Sequence, residues 1–321
     1  MNILVLAGGV GLEREVSLNS ANNFLKNVFD LNFNFYLISV SLSGHFSYNG
    51  ETGVFISSDD NLFFKTENKK IKVDYVFPIV HGKGAENGEF QAFFESLSFK
   101  KLIANSLFSS CVSFDKIISK KIAESLNIPV VNYIDFFFSP LTFEDCKKKL
   151  NSEILFLKPS DNGSSFGCSM VYNEKEFIDS LENLKTITKY PLVESYMEVI
   201  ECSCSVLFHE VSDVIVINHG LNFFSYNDKY EKHVFKTELL QNCALINLIK
   251  DYSFSLFKAM RLDFLCRFDF FICKKSKKVY FNEVNSLPGF GVDSLFFHSF
   301  SNKYNQKDIC KKIIMNYIEE I

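Results

Sequence analysis

Residues 267–285, RFDFFICKKSKKVYFNEVN, constrain the possible fold more than any other part of this chain. Two hydrophobic runs flank a lysine-rich stretch at residues 274–278, which is typical of an antiparallel hairpin with a solvated turn. Because side chains alternate along a strand, Glu283 and Asn285 share one face, and Asp269 lies on the facing strand. Three oxygen ligands therefore converge, and the pattern predicts a Mg²⁺ site that works with nucleotide phosphates. A salt-bridged surface hairpin is the alternative interpretation.

Arg267 lies two residues before Asp269 and is predicted to share the ligand face. A guanidinium there could neutralise anionic charge that develops beside the metal.

The length and composition limit the class of protein. At 321 residues the chain exceeds the usual single-core size, and 47% hydrophobic and 22% charged residues are typical of a globular enzyme. A net charge of −4 without a long basic stretch argues against a nucleic-acid partner. No apolar run reaches the length of a membrane span, so no membrane partner is expected. The nine cysteines lack a CxxC pair and predict buried, reduced thiols, as in a cytoplasmic protein.

Hydrophobic periodicity predicts an α/β start followed by an α+β remainder. NILVLAGG reads as a strand, EREVSLNSANNFLKNVF as an amphipathic helix, and two more strands and a helix follow before residue 103. This alternation predicts an open, mainly parallel sheet. From Ser113 a new unit begins with a helix, and strand pairs that alternate in the antiparallel manner follow.

Three glycine-containing loops are further candidates for a site. KPSDNGSSFG at residues 158–167 could lie over phosphates, although it is not a Walker A loop and an ordinary turn explains it equally well. GGVGLEREVSLNS at residues 8–20 lacks GxGxxG, which weakens a dinucleotide-binding interpretation. Glu13 in that loop could make a favourable contact with the helix dipole or bind an ammonium group. In HGKGAENGEFQ, His81 ends a strand at a ligand-binding edge, although a lone histidine is more often structural, and Glu86 is expected near the helix start.

Taken together, the motifs GG…EREVSL, HG…GE, KPS…GSSFG and NEVNSLPG…SL resemble those of the D-alanine–D-alanine ligases, members of the ATP-grasp superfamily. The resemblance runs from Gly8 to Leu295. It implies three subdomains, an N-terminal open parallel α/β sheet followed by a two-part ATP-grasp fold. Their expected bounds are 1–103 for the α/β substrate domain, 104–192 for the central ATP-grasp subdomain, and 193–321 for the C-terminal subdomain with the metal and acceptor site.

The resemblance also implies a role for each matching position. The residues implied to bind ATP are Lys116, Lys158, Ser165, Glu194, Glu201 and Lys229. Those implied to hold two Mg²⁺ (or Mn²⁺) ions are Asp269, Glu283 and Asn285. The implied catalytic residues are Glu13, Ser164, Tyr230, Arg267, Gly289 and Ser294, and the implied substrate-binding residues are His81, Ser294 and Leu295.

The implied reaction joins two D-alanine molecules through an acyl phosphate, for peptidoglycan precursor synthesis, and the family resemblance implies a homodimer. A D-alanine–D-lactate ligase and a catalytically impaired nucleotide-binding protein of the same fold are the alternatives. Tyr230 argues against the first, and retention of Arg267 and the metal ligands argues against the second. Four positions depart from the family pattern: Ala85, Asn87, Gly291 and Phe297.

Overall fold

The structure is a computed structural model that describes residues 1–218 and 236–319. Tyr230 and Lys229, two of the predicted site residues, lie outside the described residues. Within the described ranges, three β-sheets of seven, four and five strands follow one another along the chain. Helices pack against each sheet.

The first sheet has the strand order β6-β5-β4-β3-β2-β1-β7. Its strands and helices are β1 (Asn2–Gly8), α1 (Arg14–Val28), β2 (Asn34–Val40), β3 (Phe46–Tyr48), β4 (Glu51–Ser58), β5 (Asn61–Lys65), β6 (Lys70–Val73), β7 (Tyr75–Ile79) and α2 (Glu89–Ser96). Only β2, β1 and β7 are parallel to one another. Strands β3 to β6 continue the sheet as antiparallel hairpins, because short turns join them where a parallel strand would need a long crossover.

The second sheet has the order β10-β9-β11-β8. The elements of this region are α3 (Leu107–Phe114), α4 (Lys116–Ser125), β8 (Tyr133–Asp135), α5 (Phe143–Leu150), β9 (Leu155–Pro159), β10 (Ser169–Val171), α6 (Glu174–Lys185) and β11 (Pro191–Ser195). The helix expected from Ser113 begins at Lys116 as α4, because the Asp115 carboxylate accepts hydrogen bonds from the backbone N–H groups of Ile117 and Ile118 at 2.8 and 2.9 Å. Helices α5 and α6 cover one face of this sheet and bury its apolar core.

The third sheet is antiparallel, in the order β14-β13-β12-β15-β16. Its region contains β12 (Val199–Leu207), β13 (Glu210–Asn218), β14 (Lys236–Leu239), α7 (Cys243–Ala259), β15 (Leu265–Cys273), β16 (Val279–Asn285), α8 (Leu295–Phe300) and α9 (Gln306–Glu319). The predicted hairpin is confirmed as β15 and β16, and Asp269 lies directly opposite Glu283 in the register. A β-bulge follows Asp269 and shifts the rest of the pairing by one residue.

The end of the chain returns to the first sheet. Ile309 and Ile313 of α9 are fully buried in the same apolar core as Phe24 and Phe77. The loop that follows β16 joins this core through Phe290, whose ring packs edge-on against Phe24 and Phe77. The segment after the hairpin is therefore held by the N-terminal sheet. The domain bounds predicted from the sequence stay a prediction.

The cysteines match the expectation only in part. All nine are free thiols. Six of them are buried, and Cys202 and Cys204 lie together on the inner face of β12. Cys111 and Cys243 are exposed. Among residues 1–218 and 236–319, no helix is both long and apolar enough to cross a membrane.

Candidate active site

A cleft of about 640 Å³ lies between the second and third sheets and is closed at one end by loops of the first. Every predicted site residue that the structure describes lines this cleft. They are Glu13, His81, Lys116, Lys158, Ser164, Ser165, Glu194, Glu201, Arg267, Asp269, Glu283, Asn285, Gly289, Ser294 and Leu295. Residues almost three hundred positions apart in sequence thus converge on one cavity.

Glu13 precedes α1, but its carboxylate does not cap that helix. It accepts a short hydrogen bond from the Ser164 hydroxyl, which belongs to the loop after β9. A Cβ atom at Gly82 or Gly163 would come within 2.6 or 2.9 Å of Glu13 Oε2, so both glycines allow the backbone to approach the carboxylate closely. The contact between Glu13 and Ser164 joins the loop after β1 to the loop after β9. Glu13 was interpreted either as a contact for the helix dipole or as a residue that binds an ammonium group. Because Glu13 lines the cleft, the structure favours the second interpretation.

The loop after β9 holds two serines in an unusual backbone conformation. Ser164 and Ser165 have φ angles of 54° and 58°, in the left-handed region that L-residues with a Cβ seldom adopt. Such strain concentrates at ligand-binding sites, where surrounding contacts hold the backbone in place. The backbone angles therefore favour a ligand-binding loop over the ordinary turn that was the alternative interpretation of the sequence.

The hairpin ligands form a network on one face. Arg267 donates from Nε and Nη2 to the two oxygens of Asp269, at 2.8 Å each, and Asn285 Nδ2 donates to Asp269 Oδ2 at 3.1 Å. Ser203 donates to Asp269 Oδ1 at 2.5 Å. In the part of the chain that the structure describes, no three His, Cys, Asp or Glu side chains cluster as a metal site. The donors here are two carboxylates and an amide, oxygen ligands of the kind that Mg²⁺ prefers, so they fit the predicted ion.

Lys116 faces these ligands from the start of α4. Its Nζ lies 3.2 Å from Glu283 Oε2 and donates to the backbone carbonyl of Asn162 at 2.6 Å. Burial alone would lower the pKa of Lys116, but the carboxylate of Glu283, with help from Cys168 and Asp115, raises it above its usual range. The ammonium therefore stays charged inside the cleft.

Glu194 is shared by two lysines. Its Oε2 lies 2.9 Å from Lys158 Nζ and its Oε1 lies 2.7 Å from Lys120 Nζ. Lys158 Nζ also donates to Asn282 Oδ1 at 3.0 Å. Sequence reasoning identified Lys158 and Glu194 but missed Lys120 and Asn282. The helical spacing of Lys116 and Lys120, four residues apart on one face of α4, was the available signal.

His81 is buried, and both of its ring nitrogens have partners. Nδ1 lies 3.3 Å from the Leu287 carbonyl and Nε2 lies 2.9 Å from the Ser20 hydroxyl, which accepts from the Phe290 N–H at 3.1 Å. Because a carbonyl only accepts, Nδ1 carries the proton and Nε2 accepts from Ser20. Burial lowers the pKa of His81 to about 4, so the ring is neutral at pH 7. This chain of hydrogen bonds holds the Pro288–Gly289 turn against α1.

Replacing Ser20 with alanine is expected to lower the free energy of unfolding by about 1–3 kcal/mol, because His81 Nε2 and the Phe290 N–H lose a buried partner. Thermal unfolding measures the effect. Ser125→Ala is the control, since this exposed serine bonds only a carbonyl of its own helix, and a change within about 0.5 kcal/mol is expected. Equal stability of the two variants would contradict the role of Ser20.

Glu86 lies in the turn before α2, whereas the sequence placed it near the helix start. It is buried and accepts from the Gly82 N–H at 2.8 Å, because the turn folds back before the helix begins at Glu89. Burial, reinforced by the carboxylate of Glu13, raises the pKa of Glu86 from 4.5 to about 8. The hydrogen bond from the Gly82 N–H opposes this rise in pKa, and Arg267 does so to a smaller extent. At pH 7 the folded protein therefore holds a proton on Glu86.

A pH dependence of stability follows from that proton. Above the unfolded pKa of 4.5 the unfolded chain loses the proton, whereas the folded chain keeps it. The stability that protonated Glu86 contributes to the folded protein is therefore lost as the pH rises towards about 8. Glu86→Gln cannot ionise, so its Tm relative to wild type is expected to rise between about pH 5 and about pH 8. Exposed Glu95→Gln on α2 is the control, with a constant difference expected. Parallel Tm profiles for Glu86→Gln and wild type would refute the buried proton.

Ser294 lines the cleft together with Gly289 and Leu295. Its hydroxyl accepts from the Phe296 N–H at 3.2 Å as the N-cap of α8, and it donates a short hydrogen bond to the Gly289 carbonyl. The turn carrying Gly289 is thereby tied to the start of α8, beside Leu295. A Cβ atom at Gly289 would meet nothing within 4 Å, so open space surrounds this residue.

Comparison with known proteins agrees with this geometry. Residues 2–100 match a family model described as D-ala D-ala ligase N-terminus, and residues 122–315 match one described as D-ala D-ala ligase C-terminus. The chain belongs to the D-alanine–D-alanine ligase family. This family is ATP-dependent and uses D-alanine, and the predicted fold class is confirmed.

Relatives and solved structures of the family show how far the similarity extends. The D-alanine–D-alanine ligase of Prochlorococcus marinus is 33% identical over 70% of this chain and 66% of its own length, so the chain spans just under two thirds of that relative. The enzyme of Borrelia garinii subsp. bavariensis is 28% identical over 98% of this chain and 95% of its own length. The VanG D-Ala:D-Ser ligase of Enterococcus faecalis superposes with a TM-score of 0.81 at 26% identity, covering 98% of this chain and 99% of its own. D-Alanyl-alanine synthetase A of Vibrio cholerae has a TM-score of 0.88 at 24% identity, covering 99% and 98%, and shows the fold.

Two of the departures from the family pattern have a structural role here. Asn87 Oδ1 accepts from the N–H groups of Gly84 and Glu89, at 2.9 and 3.3 Å, and so holds the turn before α2. Phe297 is buried against Phe290 in the core shared with α9. Neither Asn87 nor Phe297 lines the cleft.

Proposed function

We propose that this chain joins two D-alanine molecules into D-alanyl-D-alanine and converts one ATP to ADP and phosphate, for peptidoglycan precursor synthesis. In the first step a carboxylate oxygen of one D-alanine attacks the γ-phosphorus of ATP, and ADP leaves. In the second step the amine of the other D-alanine attacks the acyl carbon, and phosphate leaves with loss of a proton. Convergence of three charged networks in one cleft carries this proposal: Glu13 with Ser164, Lys116 with Glu283, and Arg267 with Asp269.

The ATP end of the cleft is proposed to be the part lined by Lys116 and Lys158. Two ammonium groups held near Glu283 and Glu194 can bind the phosphates, with Ser165 in the strained loop beside them. Glu194 and Glu201 are proposed to contact the adenine amino group and the ribose. Bound Mg²⁺ or Mn²⁺ ions, held by Asp269, Glu283 and Asn285, would supply neutralisation of phosphate charge.

The D-alanine end is proposed to lie between Glu13 and the turn at Gly289. The Glu13 carboxylate, fixed by Ser164, suits the ammonium group of the first D-alanine. Arg267, held in one orientation by two hydrogen bonds to Asp269, would stabilise the oxyanion of the tetrahedral intermediate together with the backbone at Gly289. Ser294 and Leu295 are proposed to receive the carboxylate of the second D-alanine, with His81 holding the turn.

The remaining assignments stay predictions. Tyr230 and Lys229 are proposed to close over the cleft and exclude water from the acyl phosphate, but they lie outside the described residues. Homodimeric assembly and a cytoplasmic location are predictions from the family resemblance. The three subdomain bounds at residues 1–103, 104–192 and 193–321 are proposals of the same kind.

The deciding experiment incubates the purified protein with ATP, Mg²⁺ and D-alanine, and measures phosphate and dipeptide together. We expect phosphate and D-alanyl-D-alanine in equal amounts, and no product with L-alanine. ATP turnover that is indifferent to D-alanine would contradict the proposal.

The same assay separates the alternatives. One relative of similar fold is a D-Ala:D-Ser ligase, and a D-lactate ligase would use the same chemistry with a hydroxyl nucleophile. D-Serine and D-lactate are therefore offered in competition with D-alanine, and D-alanyl-D-alanine is expected as the main product. Nucleotide binding without any turnover would instead identify an impaired protein.

A further inference from the structure

Lys120 is a fully buried charge that no predicted role explains. Its exposed fraction is 0%, and it lies on α4 one turn after Lys116. Its Nζ lies 2.7 Å from Glu194 Oε1 and 5.7 Å from the centre of the Tyr133 ring. Lysine is seldom buried completely unless an anion accompanies it, so Glu194 is the reason that it can lie there.

Glu194 is also the main partner of Lys158. The two carboxylate oxygens are divided between the lysines, Oε1 to Lys120 and Oε2 to Lys158. Lys158 lines the cleft and makes a second contact with Asn282 Oδ1 at 3.0 Å. An ammonium group has three N–H donors, so these two contacts orient Lys158 and leave a donor for a ligand in the cleft.

The charges explain why a second lysine matters. If the buried Glu194 carboxylate were paired with Lys158 alone, its full negative charge would attract the Lys158 ammonium. That attraction would compete with the attraction of any anion in the cleft for the same ammonium. Lys120 takes one oxygen and part of that charge. Burial by itself would raise the pKa of Glu194, but Lys120 and Lys158 together hold it below its usual range. Burial lowers the pKa of Lys120, as expected when one carboxylate serves two ammonium groups.

We propose that Lys120 is a positioning residue for nucleotide binding, which acts through Glu194 to keep the Lys158 ammonium aimed at the phosphates and available to them. This role rests on the proposed function of Lys158 and Glu194 in binding ATP. This role predicts that a change at Lys120 weakens nucleotide binding and has little effect on the binding of D-alanine.

Lys120→Met tests the role, because methionine fills similar space without a charge. ADP affinity, measured by calorimetry with Mg²⁺, is expected to fall about tenfold, and KM for ATP to rise by a similar factor. KM for D-alanine is expected to stay within about twofold, since Lys120 contacts nothing at that end. Exposed Lys121→Met, the next residue on the same helix, is the matched control and should match wild type in all three.

The path through Glu194 is tested by combining substitutions. In a Glu194→Gln background, Lys120→Met should change ADP affinity by less than about twofold, because the carboxylate through which it acts is gone. An equal tenfold loss in both backgrounds would overturn the role, as would unchanged ADP affinity in folded Lys120→Met. If Lys120→Met alone does not fold, the double variant is used, because it buries neither the Lys120 nor the Glu194 charge. Its ADP affinity is compared with that of Glu194→Gln, and a large further loss of affinity overturns the role.

Failure of the two proposals gives different results. A wild-type protein that binds no ADP would overturn both the proposed function and the role of Lys120. A wild-type protein that binds ADP and makes the dipeptide, while Lys120→Met behaves like Lys121→Met, would overturn only the role of Lys120.

Discussion

Replacing Glu283 with glutamine is expected to lower kcat by about 10²–10³-fold, because the cleft loses a negative charge that pairs with Lys116 and is proposed to hold the divalent ions. Glu283 lies opposite Asp269 in the hairpin and 3.2 Å from Lys116. Glutamine keeps the size and one oxygen but loses the negative charge that favours a divalent ion. Steady-state phosphate release at saturating ATP and D-alanine measures the effect.

The fold is expected to survive this change. About a quarter of the Glu283 side chain is exposed, and Lys116 keeps its hydrogen bond to the Asn162 carbonyl, so the loss of this ion pair is expected to lower stability without unfolding the protein. Glu238→Gln, at an exposed position on β14 of the same sheet, is the matched control and should retain full activity. Added Mg²⁺ should partly restore the activity of Glu283→Gln, because a weakened metal site is filled at a higher Mg²⁺ concentration. Wild-type rates for Glu283→Gln would refute the assignment of this ligand.

Replacing Asn105 with alanine is expected to lower the free energy of unfolding by about 3–5 kcal/mol, since four hydrogen bonds, three of them buried, disappear at once. Asn105 Nδ2 donates to the carbonyls of Leu265 and Ser286 at 2.8 and 2.9 Å. Its Oδ1 accepts from the N–H groups of Asp263 and Phe264 at 3.2 and 3.1 Å. One side chain therefore ties the segment before α3 to the start of β15 and to the residue that follows β16.

The loss should appear as a fall in Tm of about 5–10 °C, together with weaker catalysis, because the start of β15 and the end of β16 lose their common anchor. Asn22→Ala, at an exposed position on α1, is the control, and a change within about 0.5 kcal/mol is expected there. A Tm for Asn105→Ala equal to that of the control would contradict the anchoring role.

Local patterns predicted the site hairpin correctly. The period-two alternation of β15 and β16 brought Asp269, Glu283 and Asn285 to one face, and the register agrees. The bulge after Asp269 was not foreseen, but it falls beyond the ligands. A pattern of this kind is reliable because strand geometry alone decides which side chains share a face.

The antiparallel extension of the first sheet was missed, although a signal was present. Asn49-Gly50 and Asp59-Asp60 have positive φ at both positions, as two-residue hairpin turns require. These turns separate the short strands β3, β4 and β5. The hydrophobic alternation in such short strands is weak, so the turn residues were the better evidence.

The sequence by itself determined the family, the ligand face of the hairpin and several of the residues that line the cleft, because these depend on motifs and on side-chain periodicity along single elements. Only the tertiary structure decided that Lys120 shares Glu194 with Lys158, that Asn105 anchors the hairpin and that Glu86 is buried beside Glu13. Each of these contacts joins residues that are distant in sequence, up to 181 positions for Asn105 and Ser286. Their strength comes from burial away from water, which is a property of the packed molecule and leaves no mark on a local pattern.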